Sequence, residues 1–588
     1  MCNGSVTEKG EPRIVDRCGR GLLSIGIESF EDVLRGFTYV DKSLAAGELV
    51  DRRGVTLYCR PRRFGKSTFL RMLQCFFECP AEGFVPDRRG LFDGLAISEA
   101  DPRYMVECCA HPVVYLNLAS CGADNLEDTT AKMAHAIADE YVRHAYLLES
   151  PKLMSFQKAR FERVAAEEAR PQELVASLST LCKLLSRHHG SQVVVLIDEY
   201  DTPVNDAHLH GFRHRVLDFY RSWLSDALKG TVDLYCAALT GVLRVSQESI
   251  FSELNNVQID TTLDDDHAEV IGFTAAEVEV LAAHVGREDK LAEMAEWYDG
   301  YRFGETDVYN PWSVLNYLRK GRAQPYWTNT SSNGIVSDLI RRAGEKQTAE
   351  LATLAGGGEV AKPLDLRTVF DDFADNPEAV WAQLYQAGYV TTSDTGAPND
   401  DQMERGLRIP NHEVRLLYGK ELLARATRLA GSGERLSALH RAVTSADAPT
   451  VAEVLRRILL DSASYHDLSS EAGYHVLLLA LLYAVPGYRP ATSERESGDG
   501  RCDVLLEPVP AEAGRLPAHA MELKLDKAAA TDETLVTCAR DVALAQARRL
   551  GYGHGLSGSG LVRWGVAFCG KRVAVACEHE SGDRSLDS

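Results

Sequence analysis

The sequence predicts an α/β protein: a parallel sheet built around a phosphate-binding loop, then a helical region, then a smaller α/β unit near the C-terminal end. Three observations predict this. Short β-rich runs at 55–58, 113–118, 192–197 and 234–239 alternate with longer amphipathic stretches, as in a parallel sheet flanked by helices. The run Cys59-Arg60-Pro61-Arg62-Arg63-Phe64-Gly65-Lys66-Ser67 lies between the first of these strands and a helical pattern. From about residue 470 a helix and a new set of β-like runs form a second sheet pattern.

Along the chain, Val55-Thr56-Leu57-Tyr58 reads as a strand, and 67–77 as a helix with apolar residues at helical spacing. Strands at 113–118 and 192–197 enclose a helical stretch over about 126–187, and the strand 234–239 ends at Thr240-Gly241. From 275 to about 318 the pattern is helical, interrupted at 297–304 by Trp-Tyr-Asp-Gly-Tyr-Arg-Phe-Gly, a packed turn. The block to about 461 is mostly helical. Within it, a helix at 380–386, the runs 388–392 and 407–410, and a further helix follow the order of a small winged module. Gly356-Gly357-Gly358 and Gly431-Ser432-Gly433 read as loops. Beyond a helix at about 470–484, β-like runs at 491–496, 502–506, 520–525 and 564–568 surround a helix at about 534–550. No internal repeat or low-complexity linker interrupts the chain.

The 588 residues, 45% hydrophobic and 25% charged, suit a folded protein of about two to four domains. A formal charge of −21 argues against a surface coated with basic residues for nucleic acid, though a local basic groove is compatible with it. The 14 cysteines form no C-x-x-C pair, and the chain opens Met-Cys-Asn-Gly-Ser without a basic-then-apolar leader. Reduced thiols and a cytoplasmic location are the expectation. Cys75, Cys79, Cys108, Cys109 and His111 are spaced unlike any standard zinc pattern. The longest apolar run, 476–485, is about half of what a membrane span needs, so no membrane partner is expected.

A full phosphate-binding loop reads G-x-x-x-x-G-K-[ST], and Arg60 stands where the first glycine belongs. The rest of the chemistry is present. Lys66 can reach the β- and γ-phosphates of ATP, the Ser67 hydroxyl can bind Mg²⁺, and the N–H groups from Phe64 through Gly65 to Thr68 can surround the phosphates. Arg60, Arg62 and Arg63 add positive charge nearby. The apolar strand 193–197 ends in Asp198-Glu199, where a magnesium carboxylate and a base that polarises water belong. A solvated acidic pair is the alternative. Thr240, at another strand end, can sense the γ-phosphate, and Arg244 can stabilise charge developing on it; either could be structural instead. Arg244 acting in cis would allow a monomer, whereas an arginine from a neighbour would require a homo-oligomer.

Metal-dependent cleavage of a phosphodiester needs carboxylates for Mg²⁺ and a group that activates water. Near the C-terminal end Asp503 sits on one strand and Glu522-Leu523-Lys524 on the next. Positions i and i+2 share a strand face, so Glu522 and Lys524 project together, toward Asp503. Asp503 and Glu522 would bind the metal, Lys524 would activate water, and Glu471 on the preceding helix could complete the site. An E-x-K triplet alone more often marks a solvated strand face. Arg489, Arg495, Arg501, Lys524, Lys527, Arg548 and Arg549 could form a phosphate track or be dispersed surface charge.

Several motifs together resemble the bacterial AAA-ATPase-like family over about 20–335. They are Tyr39-Val40-Asp41-Lys42-Ser43, the Arg-Pro-Arg-Arg-Phe-Gly-Lys-Ser loop, the run 196–203 (Leu-Ile-Asp-Glu-Tyr-Asp-Thr-Pro), Leu239-Thr240-Gly241-Val242, 249–256, 297–301 and 309–313. The resemblance makes the arginine at the first glycine position a family trait and implies that 39–42 lies near the nucleotide. The C-terminal part resembles the PD-(D/E)xK nuclease superfamily, in the branch usually fused to this ATPase family. That match rests on 470–475, Gly500-Arg501-Cys502-Asp503, Met521-Glu522-Leu523-Lys524, Gln546 and 565–568, with Cys502 in place of the proline before the aspartate. The two resemblances imply an AAA-like P-loop ATPase core over 20–270, a helical lid over 271–345, a helical middle region with the winged module over 346–460, and a restriction-endonuclease-like domain over 461–580. They imply an enzyme whose ATP state controls cleavage of nucleic acid, DNA or RNA. The competing reading is an ATP-dependent switch or interaction protein whose C-terminal fold only binds nucleic acid or a partner.

Overall fold

The computed structural model describes residues 11–230, 232–244, 257–330, 336–337, 345–366, 378–393, 404–462, 471–489, 491, 495–497, 500–553 and 556–580. The motif stretch 249–256 and Ser470 lie outside these. The chain divides into two compact units, one of Met1–Ser331, Lys362–Arg405 and Pro410–Glu413, the other of Ser332–Ala361, Gly406–Ile409 and Val414–Ser588.

The first unit is built on a five-stranded, all-parallel sheet. Its strands are β1 (Val55–Cys59), β2 (Val113–Asn117), β3 (Val193–Asp198), β4 (Leu234–Gly241) and β5 (Val257–Asp260), in the spatial order β2-β3-β4-β1-β5. Every residue of β1 and β3 is buried, as expected where helices cover both faces of a parallel sheet. The sequence pattern gives no sign of the strand β5. It is a four-residue edge strand with three half-buried positions, too short and too mixed in polarity to show a period. The stretch 126–187 is broken into Leu126–Arg143, Ser155–Ala165, Pro171–Val175 and Ser177–His189, with proline at the start of the third.

The interruption at 297–304 is a β-hairpin rather than a simple turn. Tyr301–Phe303 pairs antiparallel with Thr306–Tyr309, and Phe273–Thr274 joins on the far side of Thr306–Tyr309. Helices Ala275–His284, Leu291–Tyr298 and Pro311–Lys320 surround it, with a core of Leu281, Met294, Tyr298, Val314 and Tyr317.

The second unit carries a four-stranded mixed sheet in sequential order: β6 (Val504–Leu506), β7 (Ala518–Leu525), β8 (Leu561–Cys569) and β9 (Arg572–Glu580). β6 and β7 are antiparallel, β7 and β8 parallel, and β8 and β9 antiparallel. The parallel step is made through Asp532–Thr537, a π-helical stretch Cys538–Leu544 and Ala545–Arg549. The apolar helix Glu471–Leu482 contributes Tyr474, Leu478 and Leu481 to a core shared with Val504, Met521, Leu523 and Trp564. Among the described residues no helix is long and apolar enough to cross a membrane.

Candidate functional site

The loop between β1 and the helix Lys66–Phe77 turns through two left-handed residues, Arg63 at φ 68° and Gly65 at φ 99°. Gly65 caps the helix in a conformation that costs glycine little. Around this loop lies a cavity of about 640 Å³ lined by the loop residues Arg62 to Thr68, by Tyr39 and Lys42, and by Asn117, Glu199 and Trp312. Lys66 is buried, and its ammonium donates to the carbonyls of Arg60 (3.2 Å) and Pro61 (3.3 Å) and lies 3.3 Å from Glu199 Oε1. Glu199 directly follows β3 in a left-handed conformation, φ 52°.

Asp198, the last residue of β3, is fully buried and accepts a hydrogen bond from Thr240 Oγ1 at 2.6 Å, while its Oδ2 has no hydrogen-bond partner. Burial raises its pKa and the charge of Glu199 adds to this; Ser67, Thr240 and Lys66 oppose the rise. A buried carboxylate with one unpartnered oxygen, close enough to Ser67 and Lys66 for both to favour its charged form, fits a divalent cation. Thr240 therefore faces Asp198 and does not line the cavity.

Asp201, which the sequence offered only as part of a motif, clamps the exit of β4. Its Oδ2 accepts from Val242 N–H (3.0 Å) and Leu243 N–H (2.7 Å), and burial, then Glu199, pushes its pKa up to about 6. A Cβ at Gly241 would stand 2.5 Å from Asp201 Oδ1 and 2.6 Å from the Tyr200 ring, so only glycine fits that approach. Arg244 does not line the cavity. Its N–H donates to Gln386 Oε1 (2.7 Å), and its buried Nε has no hydrogen-bond partner.

The three loop arginines diverge. Arg62 lines the cavity. Arg63 lines it too and sets its guanidinium 4.3 Å from the centre of the Trp312 ring. Arg60 corrects the expectation of a phosphate contact: its guanidinium is fully buried and paired with Asp260 at 3.1 Å. Phe64 is buried against Tyr301 and Phe303, tying the loop to the hairpin. Lys42 donates to both oxygens of Glu277, at 2.5 and 2.7 Å, and to Glu269 O at 2.6 Å. Glu277 also completes the capping box with Thr274, so one carboxylate links the N-terminal segment to the start of Ala275–His284.

In the second unit the expected residues gather around β7. Glu522 is buried; its Oε1 accepts from Lys524 Nζ (2.6 Å) and from Gln546, and its Oε2 has no partner. Burial, then the charge of Asp503, pushes Glu522 up to about 7. Burial works to lower the Lys524 pKa, but the bond to Glu522 and the charges of Glu522, Glu471 and Asp503 outweigh it. Asp503, between two short strands, accepts Leu523 N–H at Oδ2 (2.7 Å), and Glu471 accepts Leu525 N–H at Oε2 (2.9 Å). His475 Nε2 is 2.6 Å from Asp503 O.

The three carboxylates expected as ligands each engage a different partner. Among the described residues no group of three or more His, Cys, Asp or Glu side chains is arranged to hold a metal ion. Asp503 and Glu471 turn onto backbone N–H groups and Glu522 onto Lys524, which relieves like-charge repulsion. The basic track is also partly neutralised, since Arg548 pairs with Glu578 and Arg489 lies 3.6 Å from Glu507. The same absence covers the cysteine cluster: His111 has Nδ1 at 2.9 Å from Gln192 O and Nε2 at 2.8 Å from Glu107, and the described cysteines are free thiols.

Residues 24–251 match the model of a family described as predicted AAA-ATPase. The chain is 28% identical over 410 residues to an uncharacterized protein in the vnfD 5' region of Azotobacter chroococcum mcd 1, covering 69% of this chain and 70% of that one. Among solved structures it is similar to a Signal Transduction ATPase with Numerous Domains protein with a tetratricopeptide repeat sensor from Pyrococcus horikoshii, with TM-score 0.23, 12% identity, 72% of this chain and 53% of that one. A second is the ORC2 protein of Aeropyrum pernix in ADPNP–ADP complexes, with TM-score 0.25, 10% identity, 65% of this chain and 93% of that one. This chain spans about half the length of the first structure, and overlap at these TM-scores is too slight to define a shared arrangement. The family match over 24–251, with the five-stranded parallel sheet, supports an AAA-like, P-loop ATPase fold in the first unit.

Proposed function

We propose that the first unit binds and hydrolyses ATP in the cavity around Lys66. The observation that carries this is the position of Lys66: a buried ammonium at the wall of the cavity, held by two loop carbonyls and by Glu199, the residue that follows Asp198. Phosphates would draw Lys66 from these acceptors, leaving Glu199 to orient and deprotonate water. Ser67 and Asp198 would hold Mg²⁺, which neutralises charge on the phosphate oxygens when bound. Arg62 and Arg63 would add charge at the mouth, Thr240 would fix Asp198, and Arg244 would act only through a change of position.

For the second unit we propose Mg²⁺-dependent cleavage of nucleic acid, DNA or RNA, controlled by the ATP state of the first. Asp503 and Glu522 would hold the ion and Lys524 would activate water, with Glu471 and Gln546 as supports. A second reading is favoured by the carboxylates' engagement with backbone N–H groups and by the pairing of Arg548: a nuclease-like fold that only binds nucleic acid or a partner. Lys66→Ala and Asp503→Ala, assayed separately for ATP turnover and for Mg²⁺-dependent cleavage of DNA and RNA, test both. Lys66→Ala should abolish turnover. Cleavage that survives Asp503→Ala removes the nuclease assignment, and no cleavage by the wild type favours the binding reading.

A further inference from the structure

Phosphate loops carry glycine where this chain has Arg60, yet the backbone there makes no demand for it. The left-handed positions of the loop are Arg63 and Gly65, and Arg60 is not among them. Arg60 faces two ways. Its backbone N–H donates to Gly241 O (3.0 Å) and its carbonyl accepts from Lys66 Nζ (3.2 Å). Its guanidinium, fully buried, donates to Asp260 O (3.1 Å), to Asp260 Oδ1 (3.1 Å) and to His267 O (3.4 Å), with the Phe303 ring 5.1 Å away.

Asp260 is itself held. Its Oδ2 meets His267 Nδ1 at 2.9 Å, and His267 Nε2 meets Glu48 Oε2 at 2.9 Å, on the helix Leu44–Arg52. A chain Glu48–His267–Asp260–Arg60 thus runs from that helix, through the end of the edge strand β5, to the carbonyl that holds Lys66. A fully buried guanidinium with two-point contact to one aspartate is a rigid element, because leaving either charge unpaired is strongly unfavourable.

We propose that Asp260 is a positioning residue for the phosphate loop: through its buried pair with Arg60 it fixes the Arg60 and Pro61 carbonyls and so the aim of Lys66. This inference rests on the reading of the cavity as a nucleotide site. In this chain the arginine replaces the glycine by a side-chain anchor, so restoring the glycine should harm binding.

The test is titration of ATP and of AMP, in Mg²⁺, with the full chain carrying Arg60→Gly, Arg60→Lys, or Arg60→Gly together with Asp260→Asn, with melting temperature recorded for each. The double variant leaves no unpaired buried charge and guards against a failure to fold. Arg60→Gly and the double variant should weaken ATP about tenfold or more and leave AMP, which lacks the phosphates that Lys66 meets, nearly unchanged. Arg60→Lys, which keeps the charge without the fork, should recover part of the loss. Wild-type ATP affinity in Arg60→Gly, or equal weakening of ATP and AMP in the folded double variant, overturns the inference. A wild-type chain that binds neither nucleotide removes the nucleotide reading and the inference with it.

Discussion

Both candidate sites bring a lysine to a glutamate, and the two pairs are built differently. Lys66 and Glu199 come from the starts and ends of separate elements, stand 3.3 Å apart, and share the lysine with neutral carbonyls; the Glu199 side chain is 22% exposed. Lys524 and Glu522 sit two residues apart on one strand at 2.6 Å, and the Glu522 side chain is 3% exposed. On the proposed ATP reading, phosphate oxygens would open the first pair, because they would replace Glu199 and both carbonyls as partners of Lys66. In the second, the carboxylate depends on its lysine, since burial already pushes Glu522 up to about 7.

The largest effect that would break this contrast lies at the first pair. Glu199→Gln should lower ATP turnover by about 10²-fold or more, the scale of a lost general base, while ATP binding persists because Lys66 remains. Phosphate release and ATP titration measure the two quantities. Turnover near the wild-type rate would mean that Glu199 only holds Lys66, as Glu522 holds Lys524.

Lys524→Met should act on stability, with a sign set by Glu522. The Glu522 pKa is raised from 4.5 to about 7 in the folded chain, so its favourable term is complete below about 4.5 and is lost as pH rises through 7. Without Lys524 the ionised form is worse off, and the folded state prefers the neutral acid still more strongly. The melting temperatures of wild type and variant should therefore lie close at pH 5 and separate by pH 8, by the equivalent of about 1–3 kcal/mol. A separation independent of pH would show that Lys524 contributes packing alone.

The contrast also tracks what the sequence shows. The loop at 59–67, the acidic end of β3 and the i, i+2 pair on β7 are legible because each is written within a few neighbouring residues, where strand period and helix start fix direction. The partners that set their behaviour are remote. Asp260 lies 200 residues from Arg60, and Glu277 lies 235 from Lys42, so no local pattern announces either pair. Arg60, Arg62 and Arg63 read alike as charge in sequence, but packing buries the first, leaves the second at the cavity and sets the third over an indole. The π-helical turn at Cys538–Leu544 likewise looks like plain helix in the sequence, since one wider turn leaves the apolar spacing almost intact.

The smallest expected effect concerns that third arginine. The Arg63 guanidinium stands 4.3 Å from the Trp312 ring centre at an exposed site, where such a contact contributes about 0.5–1 kcal/mol. Arg63 is also a non-glycine residue at φ 68°, so Arg63→Gly relieves backbone strain while removing the contact, and Arg63→Ala removes the contact alone. Arg63→Ala should thus lower the melting temperature slightly, Arg63→Gly should leave it near wild type, and the two should weaken ATP equally if the charge acts on phosphate. Trp312→Leu, which removes the aromatic face and keeps the arginine, separates the contact from the charge: intact ATP affinity there with a loss in Arg63→Ala assigns Arg63 to the ligand. Equal losses in both would assign it to the indole, making Arg63, like Arg60, an anchor of the loop.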